Sequence, residues 1–237
     1  MNKNIQEYIN IDIARYLEDV RFIVPKNPIF GFQMALDYIF SNVLFMMTGC
    51  LEHKIDRISL QLCLDDENHR QVTMRQSSKI PTNTDYRSVL KKIKTLYKNI
   101  IIDSDAILLQ TMNKVLLILK LTNLNFYMKK GYAILLQMTD TQFGMESMEK
   151  WKNKSVQKAE TEETLLNISY SAILNRRNKI GHNEYSVYID FNNPSRLTTD
   201  HLLNSDWIFI FVGLLFYDTL LRKYFNEYMF QRNKYVL

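Results

Sequence analysis

Six glycines and four prolines in 237 residues leave this chain few places to turn sharply. Glycine supplies the positive-φ positions of tight turns, and proline interrupts helices. A chain poor in both argues against sandwiches and barrels, which need many turns, and for long helices joined by few connections. The same scarcity leaves no glycine-rich phosphate loop, which argues against an ATPase or a dinucleotide enzyme. The expected fold class is therefore all-α, a helical bundle.

The length suits one domain with a substantial core, and we expect a single domain over 1–237. With 46% hydrophobic and 23% charged residues, the chain has the balance of a folded protein. The formal net charge of +5 permits an anionic partner such as RNA. Cys50 and Cys63 are too few for a disulfide framework and match no zinc spacing, which fits a reducing, cytoplasmic setting. The first residues, "MNKNIQEYINIDIARYLEDV", carry acids throughout and do not read as a secretory signal. Residues 29–50 are long enough to span a membrane but contain Gln33, Asp37 and Asn42. Residues 207–217 are strongly apolar but stop at Asp218, short of a span. Both read as core helices, and no membrane partner is expected.

Along the chain, 29–50 predicts a buried helix. In "RISLQLCL" (57–64), Ile58, Leu60, Leu62 and Leu64 alternate with Ser59, Gln61 and Cys63, the period of a half-buried strand. With "DDEN" as turn chemistry and "HRQVTMRQ" (69–76) as the return, a small inserted β-hairpin is expected near 57–76. Val89, Leu90, Ile93, Leu96, Tyr97 and Ile100 then share a helical face opposite Lys91, Lys94 and Lys98. Residues 104–128 predict one long helix, 131–143 another, and 145–163 a charged helix or connector. A further helix is expected to start near Thr161 as its cap, with Glu162 and Glu163 in the first turn, and to end at Gly181. A last buried helix spans about 204–231.

The exit of that helix, "SAILNRRNKIGHNEY" (171–185), gathers the polar groups that best suit chemistry. Arg177, Asn178 and His182 fall within about one and a half helical turns of one another. Histidine titrates near neutrality and can take the proton of a ribose 2′-hydroxyl or give one to the leaving oxygen. Arginine offers planar, bidentate donors to the phosphate and stabilises the charge that builds in the transition state. Asn178 can orient either group. One histidine does not conveniently serve as both base and acid in a single turnover. Two copies of the site facing each other would supply both, which points to a homodimer. Arg176, Lys179, Asn183 and Tyr185 stand beside these three as candidate RNA contacts, Tyr185 by stacking on a base.

"RNKIGHN" (177–183) resembles the signature of HEPN domains: an Arg, a polar residue that is often Asn, and a His a few residues on. HEPN domains are small helical bundles that usually dimerise with two such motifs in a shared cleft. Many are metal-independent endoribonucleases of toxin–antitoxin, antiphage and CRISPR systems. The resemblance implies that Arg177 and His182 are catalytic and Asn178 supporting, with no metal and no cofactor. It also implies an antitoxin or activator protein as a further partner. It places a HEPN-like core over 86–237 and leaves 1–85 as an N-terminal helix-and-hairpin elaboration. Two-component toxins of this kind commonly carry a Tyr two residues after the His; here Glu184 holds that place and Tyr185 follows.

Plainer readings stand beside this one. Arg176 and Arg177 suit the negative end of a helix dipole, and His182 can serve as a cap. Arg196 and His201 repeat the bare spacing but lack the Asn and lie in a connection containing Pro194. The cluster Lys150, Lys152, Lys154 and Lys158 can track an RNA backbone or face solvent. His53 and His69 with the nearby acids offer no zinc-like spacing. The alternative function is a non-catalytic HEPN-like dimer that binds RNA or protein.

Overall fold

The computed structural model describes residues 2–27, 29, 31–65, 93, 101–140, 155–158, 161–164 and 202–235. Over these the chain is mainly helical. In order come α1 (Asn2–Ile9), α2 (Arg15–Glu18), a 3-10 turn (Asp19–Phe22) and α3 (Phe32–Asp65). They are followed by α4 (Ser104–Leu121), α5 (Leu124–Tyr127) and α6 (Lys129–Thr139). The strands β1 (Ser155–Lys158) and β2 (Thr161–Thr164) precede α7 (Leu202–Tyr235). Contacts divide the chain into two compact units. One contains Met1–Asp12, Gly49–Ser104 and Tyr217–Leu237; the other contains Ile13–Thr48 and Asp105–Phe216.

In the second of these units, the apolar period of α3 and α7 decides the packing. Leu36, Phe40, Val43, Leu44 and Met47 recur at helical spacing and are buried. Phe40 meets Phe211 edge-on, with ring centroids 5.3 Å apart, and lies 5.6 Å from Trp207. Trp207 in turn stacks on Phe211 at 5.8 Å. Such aromatic pairs add about 0.5–1.5 kcal/mol to the area they bury. The α4 residues Ile107, Leu108, Met112, Val115, Ile118 and Leu119 form a buried stripe of the same period. Its Thr111 hydroxyl is buried without penalty because it donates to the Ile107 carbonyl one turn back, at 2.7 Å. Gly31, at φ +84°, makes the turn into α3, a conformation that favours glycine. Tyr127 clamps that turn: its hydroxyl accepts from the Ile29 amide and donates to the Asn27 carbonyl.

In the other unit, α1 lies against the Tyr217–Tyr235 part of α7 through amides. Asn226 donates to Asn10 Oδ1 at 2.9 Å, and its own Oδ1 accepts from Gln6 and Asn10. The Tyr8 ring meets His53 of α3 edge-on at 5.2 Å. Leu51, Ile55, Ile58 and Leu62 carry the buried stripe of α3 here, and Leu221, Phe225, Tyr228 and Met229 that of α7. Ile93, the one described residue of the expected 86–100 helix, is helical and buried.

Several expectations hold, and several do not. Of the segment 29–50, the part from Phe32 onward lies in a long helix with a buried face, as does 207–217. Among the described residues no helix is long and apolar enough to cross a membrane. The first strand of the expected hairpin at 57–76 is wrong, because 57–65 completes α3; residues 69–76 lie outside the described ones. The alternation misled because Ile58 and Leu62 are spaced four apart, a spacing that helices and strands both place on one face. Leu60 separates the two: it is 52% exposed while its neighbours Ile58 and Leu62 have no exposure. The expected helix 104–128 stops at Leu121. Asn123 there adopts the left-handed conformation (φ 60°), which ends the helix before α5 begins. The expected helix start at Thr161 is also overturned at its first turn. Thr161–Thr164 pairs antiparallel with Ser155–Lys158, Lys158 opposite Thr161 and Ser155 opposite Thr164. Two β-branched threonines in four residues favour the extended form over the helix.

Candidate functional site

The sequence-predicted residues Arg176, Arg177, Asn178, Lys179, His182, Asn183 and Tyr185 all lie outside the described residues. So do Lys91, Lys94, Lys98 and the Lys150 to Lys154 cluster. Among the described residues, a buried ion-pair cluster lies elsewhere, in the unit that contains α1, the later part of α3 and the Tyr217–Tyr235 part of α7.

Lys54 sits in the buried stripe of α3 between Leu51 and Ile55. Asp218 sits on α7 next to Tyr217, and both side chains have no exposure. Lys54 Nζ contacts Asp218 Oδ1 at 2.5 Å and also donates to the Ile11 carbonyl just beyond α1. That carbonyl lies just past the last residue of α1, and the ammonium supplies a donor to this half-buried acceptor. One turn along α7, Arg222 Nε lies 2.9 Å from Asp218 Oδ2. The pair is a charge contact rather than an aligned hydrogen bond, since neither atom has a hydrogen-bond partner of good geometry. Arg222 also reaches toward Asp12 at 3.8 Å and toward the Thr219 hydroxyl at 3.3 Å. Burial pushes the Asp218 carboxyl up from its ordinary value, against the opposing pull of Lys54 and Arg222.

This arrangement ties three chain segments at one point: the exit of α1, the stripe of α3 and the middle of α7. It does not resemble a site of chemistry. A lysine and an aspartate with fully buried side chains offer nothing to a solute, and the ammonium is already engaged by Asp218 Oδ1 and the Ile11 carbonyl. A buried, paired charge fixes register more than it adds stability. Sequence reading passed over Lys54 and took Asp218 only as the end of an apolar segment, although each left a signal. Lys54 interrupts a run of apolar positions at helical spacing, and Asp218 interrupts the most apolar segment of the chain. A buried cation and a buried anion in the same chain are most cheaply explained as partners.

Among the described residues no group of three or more His, Cys, Asp or Glu side chains is placed to hold a metal ion. His53 is engaged with Tyr8, and Cys50 is a free, half-buried thiol. Comparison of the chain with protein-family models, curated proteins and solved structures returns no match.

Proposed function

We propose that the chain is a metal-independent endoribonuclease that acts as a homodimer. Its chemistry rests on Arg177, Asn178 and His182. The observation that carries the reading is the sequence "RNKIGHN" (177–183), an Arg-Asn pair followed by His at the interval that HEPN domains use. A mainly helical chain with a net charge of +5 is a consistent setting for it.

In this reading His182 of one protomer removes the ribose 2′-hydroxyl proton while the second copy's histidine protonates the 5′-oxygen as it leaves. The 2′-oxygen attacks phosphorus, the P–O5′ bond breaks, and a 2′,3′-cyclic phosphate remains. Arg177 balances the charge on the phosphorane, and Asn178 orients the reacting groups. Arg176, Lys179, Asn183 and Tyr185 hold the RNA on either side. The setting is stress response or antiphage defence, with an antitoxin or activator protein controlling the activity.

The test is incubation of the purified chain with total RNA and defined tRNA in EDTA, beside His182→Ala and Arg177→Ala. Cleavage that survives the chelator, leaves 2′,3′-cyclic ends and falls by about 10²-fold or more in each variant supports the proposal. Cleavage that requires a divalent metal, or that survives in His182→Ala, sinks it. A folded dimer that binds RNA without cutting it assigns the chain to the alternative, a non-catalytic binding module.

A further inference from the structure

Burial decides how the turn after α2 presents its side chains. Leu17, Val20 and Val24 are its buried anchors. The Ile23 and Val24 amides both donate to the Val20 carbonyl, which closes the backbone between those anchors. The side chains left over stand in water. Phe22 is 76% and Ile23 58% exposed, and Ile29 further along is 57% exposed. Two exposed cations, Arg21 and Lys26, accompany them. The Arg21 guanidinium lies over the Phe22 ring, 4.7 Å from its centroid.

Tyr127 holds this turn against the start of α6. Its hydroxyl bonds the Asn27 carbonyl and the Ile29 amide, and its ring lies 5.2 Å from that of Phe32. Beside it Phe126 is 46% exposed, and the exposed Lys129 and Lys130 open α6. No acid answers these cations along either segment. The sequence has no Asp or Glu between Asp19 and Asp37, and none between Asp105 and Asp140, in a chain that holds 25. One surface of this unit thus combines large apolar side chains in water with charge of a single sign.

We propose that the Arg21–Ile29 turn, with Phe126, Lys129 and Lys130, is a surface that binds an anionic lipid bilayer. The cations call for an anionic partner, and the exposed Phe and Ile side chains gain by leaving water. A bilayer interface is an anionic layer with hydrocarbon directly beneath it, so it supplies both at one surface. Lys and Arg can stay at the headgroups while Phe and Ile pass between them. RNA matches the charge but leaves Ile23 and Ile29 without an apolar partner, since bases stack on aromatic faces. A second copy about a two-fold axis would set cations against cations. Contact of this kind needs no spanning helix, and none occurs among the described residues. The proposal does not rest on the nuclease reading.

Flotation of the full chain with vesicles tests it, using an equal mixture of phosphatidylcholine and phosphatidylserine beside phosphatidylcholine alone. Binding is expected to the mixed vesicles and is expected to weaken as salt rises. Lys129→Gln with Lys130→Gln is expected to weaken it about thirtyfold, roughly fivefold for each cation near the surface. Phe22→Ser with Ile23→Ser, at unchanged charge, is expected to weaken it at least about tenfold. Arg57→Gln with Lys223→Gln removes two exposed cations of the other unit and is expected to change binding far less. Helical circular dichroism of all three pairs is expected to match wild type. Failure to float with the mixed vesicles overturns the proposal, including a chain that binds single-stranded RNA or an acidic protein instead. So does equal flotation with phosphatidylcholine alone, because the cations then take no part. Equal losses in the two glutamine pairs also overturn it, since binding then follows net charge rather than this surface. Loss of helical signal in both the lysine and the serine pair sinks it too, because those residues then belong to the packing of their own protomer.

Discussion

Lys54 has no water to turn to if Asp218 is removed. Both side chains lack exposure, and the ammonium is shared between that carboxylate and the Ile11 carbonyl. Removing one partner leaves a desolvated charge, so Asp218→Leu or Lys54→Met alone is expected to cost roughly 3–5 kcal/mol. Replacing both by apolar residues of similar volume removes the charge problem along with the bond. We expect Lys54→Met with Asp218→Leu to be much less destabilised than the sum of the singles, read by urea denaturation as a double-mutant cycle. Additive losses would show that the two charges are not coupled. Acid behaviour gives an independent check. Burial holds the Asp218 carboxyl above its ordinary value, so the folded state keeps this proton to higher pH than the unfolded state does. Stability from this group is fully present below the ordinary aspartate value and is lost as pH rises through the raised one. The stability of wild type minus that of Asp218→Asn is thus expected to fall as pH rises across the acid range. A rise would mean that Lys54 and Arg222 outweigh burial.

At the scale of elements, legibility followed the length of the pattern. The apolar segment 207–217 is longer than an ordinary strand and too short to span a membrane, so it reads as a core helix, and α7 is where it was expected. Residues 57–64 are eight positions with apolar groups two apart, a stretch too short to separate the periods. What was missing was the context upstream, where Leu51 and Ile55 continue the same buried stripe into Ile58 and Leu62. The helical assignment makes a distinction that a strand cannot. In a strand Leu60 and Leu62 point to the same side; in α3 they are about 200° apart. Leu62→Ala is expected to cost roughly 2–5 kcal/mol, and Leu60→Ala no more than about 0.5. Equal costs in a denaturation series would restore the strand. The break after Leu121 was legible only in part. "LTNLN" contains an asparagine able to take positive φ, but no glycine or proline marks the stop.

For the molecule as a whole, fold class and chemistry were legible for different reasons. The scarcity of glycine and proline constrains every residue of the chain, so a mainly helical result follows from composition alone. The candidate site depends on a handful of side chains between Arg176 and Tyr185, and its reading comes from residue types and spacing. That reading assigns separate duties to neighbouring residues, and salt dependence can tell them apart. A residue that only neutralises a phosphate contributes by releasing counterions, so its loss weakens binding and flattens the dependence on salt. A residue that moves protons contributes little to binding. With single-stranded RNA and the His182→Ala background to prevent cleavage, Lys179→Gln is expected to lower the slope of log K against log salt by about 0.7. The same Lys179→Gln change in the active chain is expected to raise KM while leaving kcat within about twofold, since it removes binding common to ground and transition states. Arg177→Ala, by contrast, is expected to lower kcat, because its contacts tighten as charge builds on the phosphate. An unchanged slope in Lys179→Gln would remove that residue from the RNA path, and an unchanged kcat in Arg177→Ala would reduce the motif to a basic helix end.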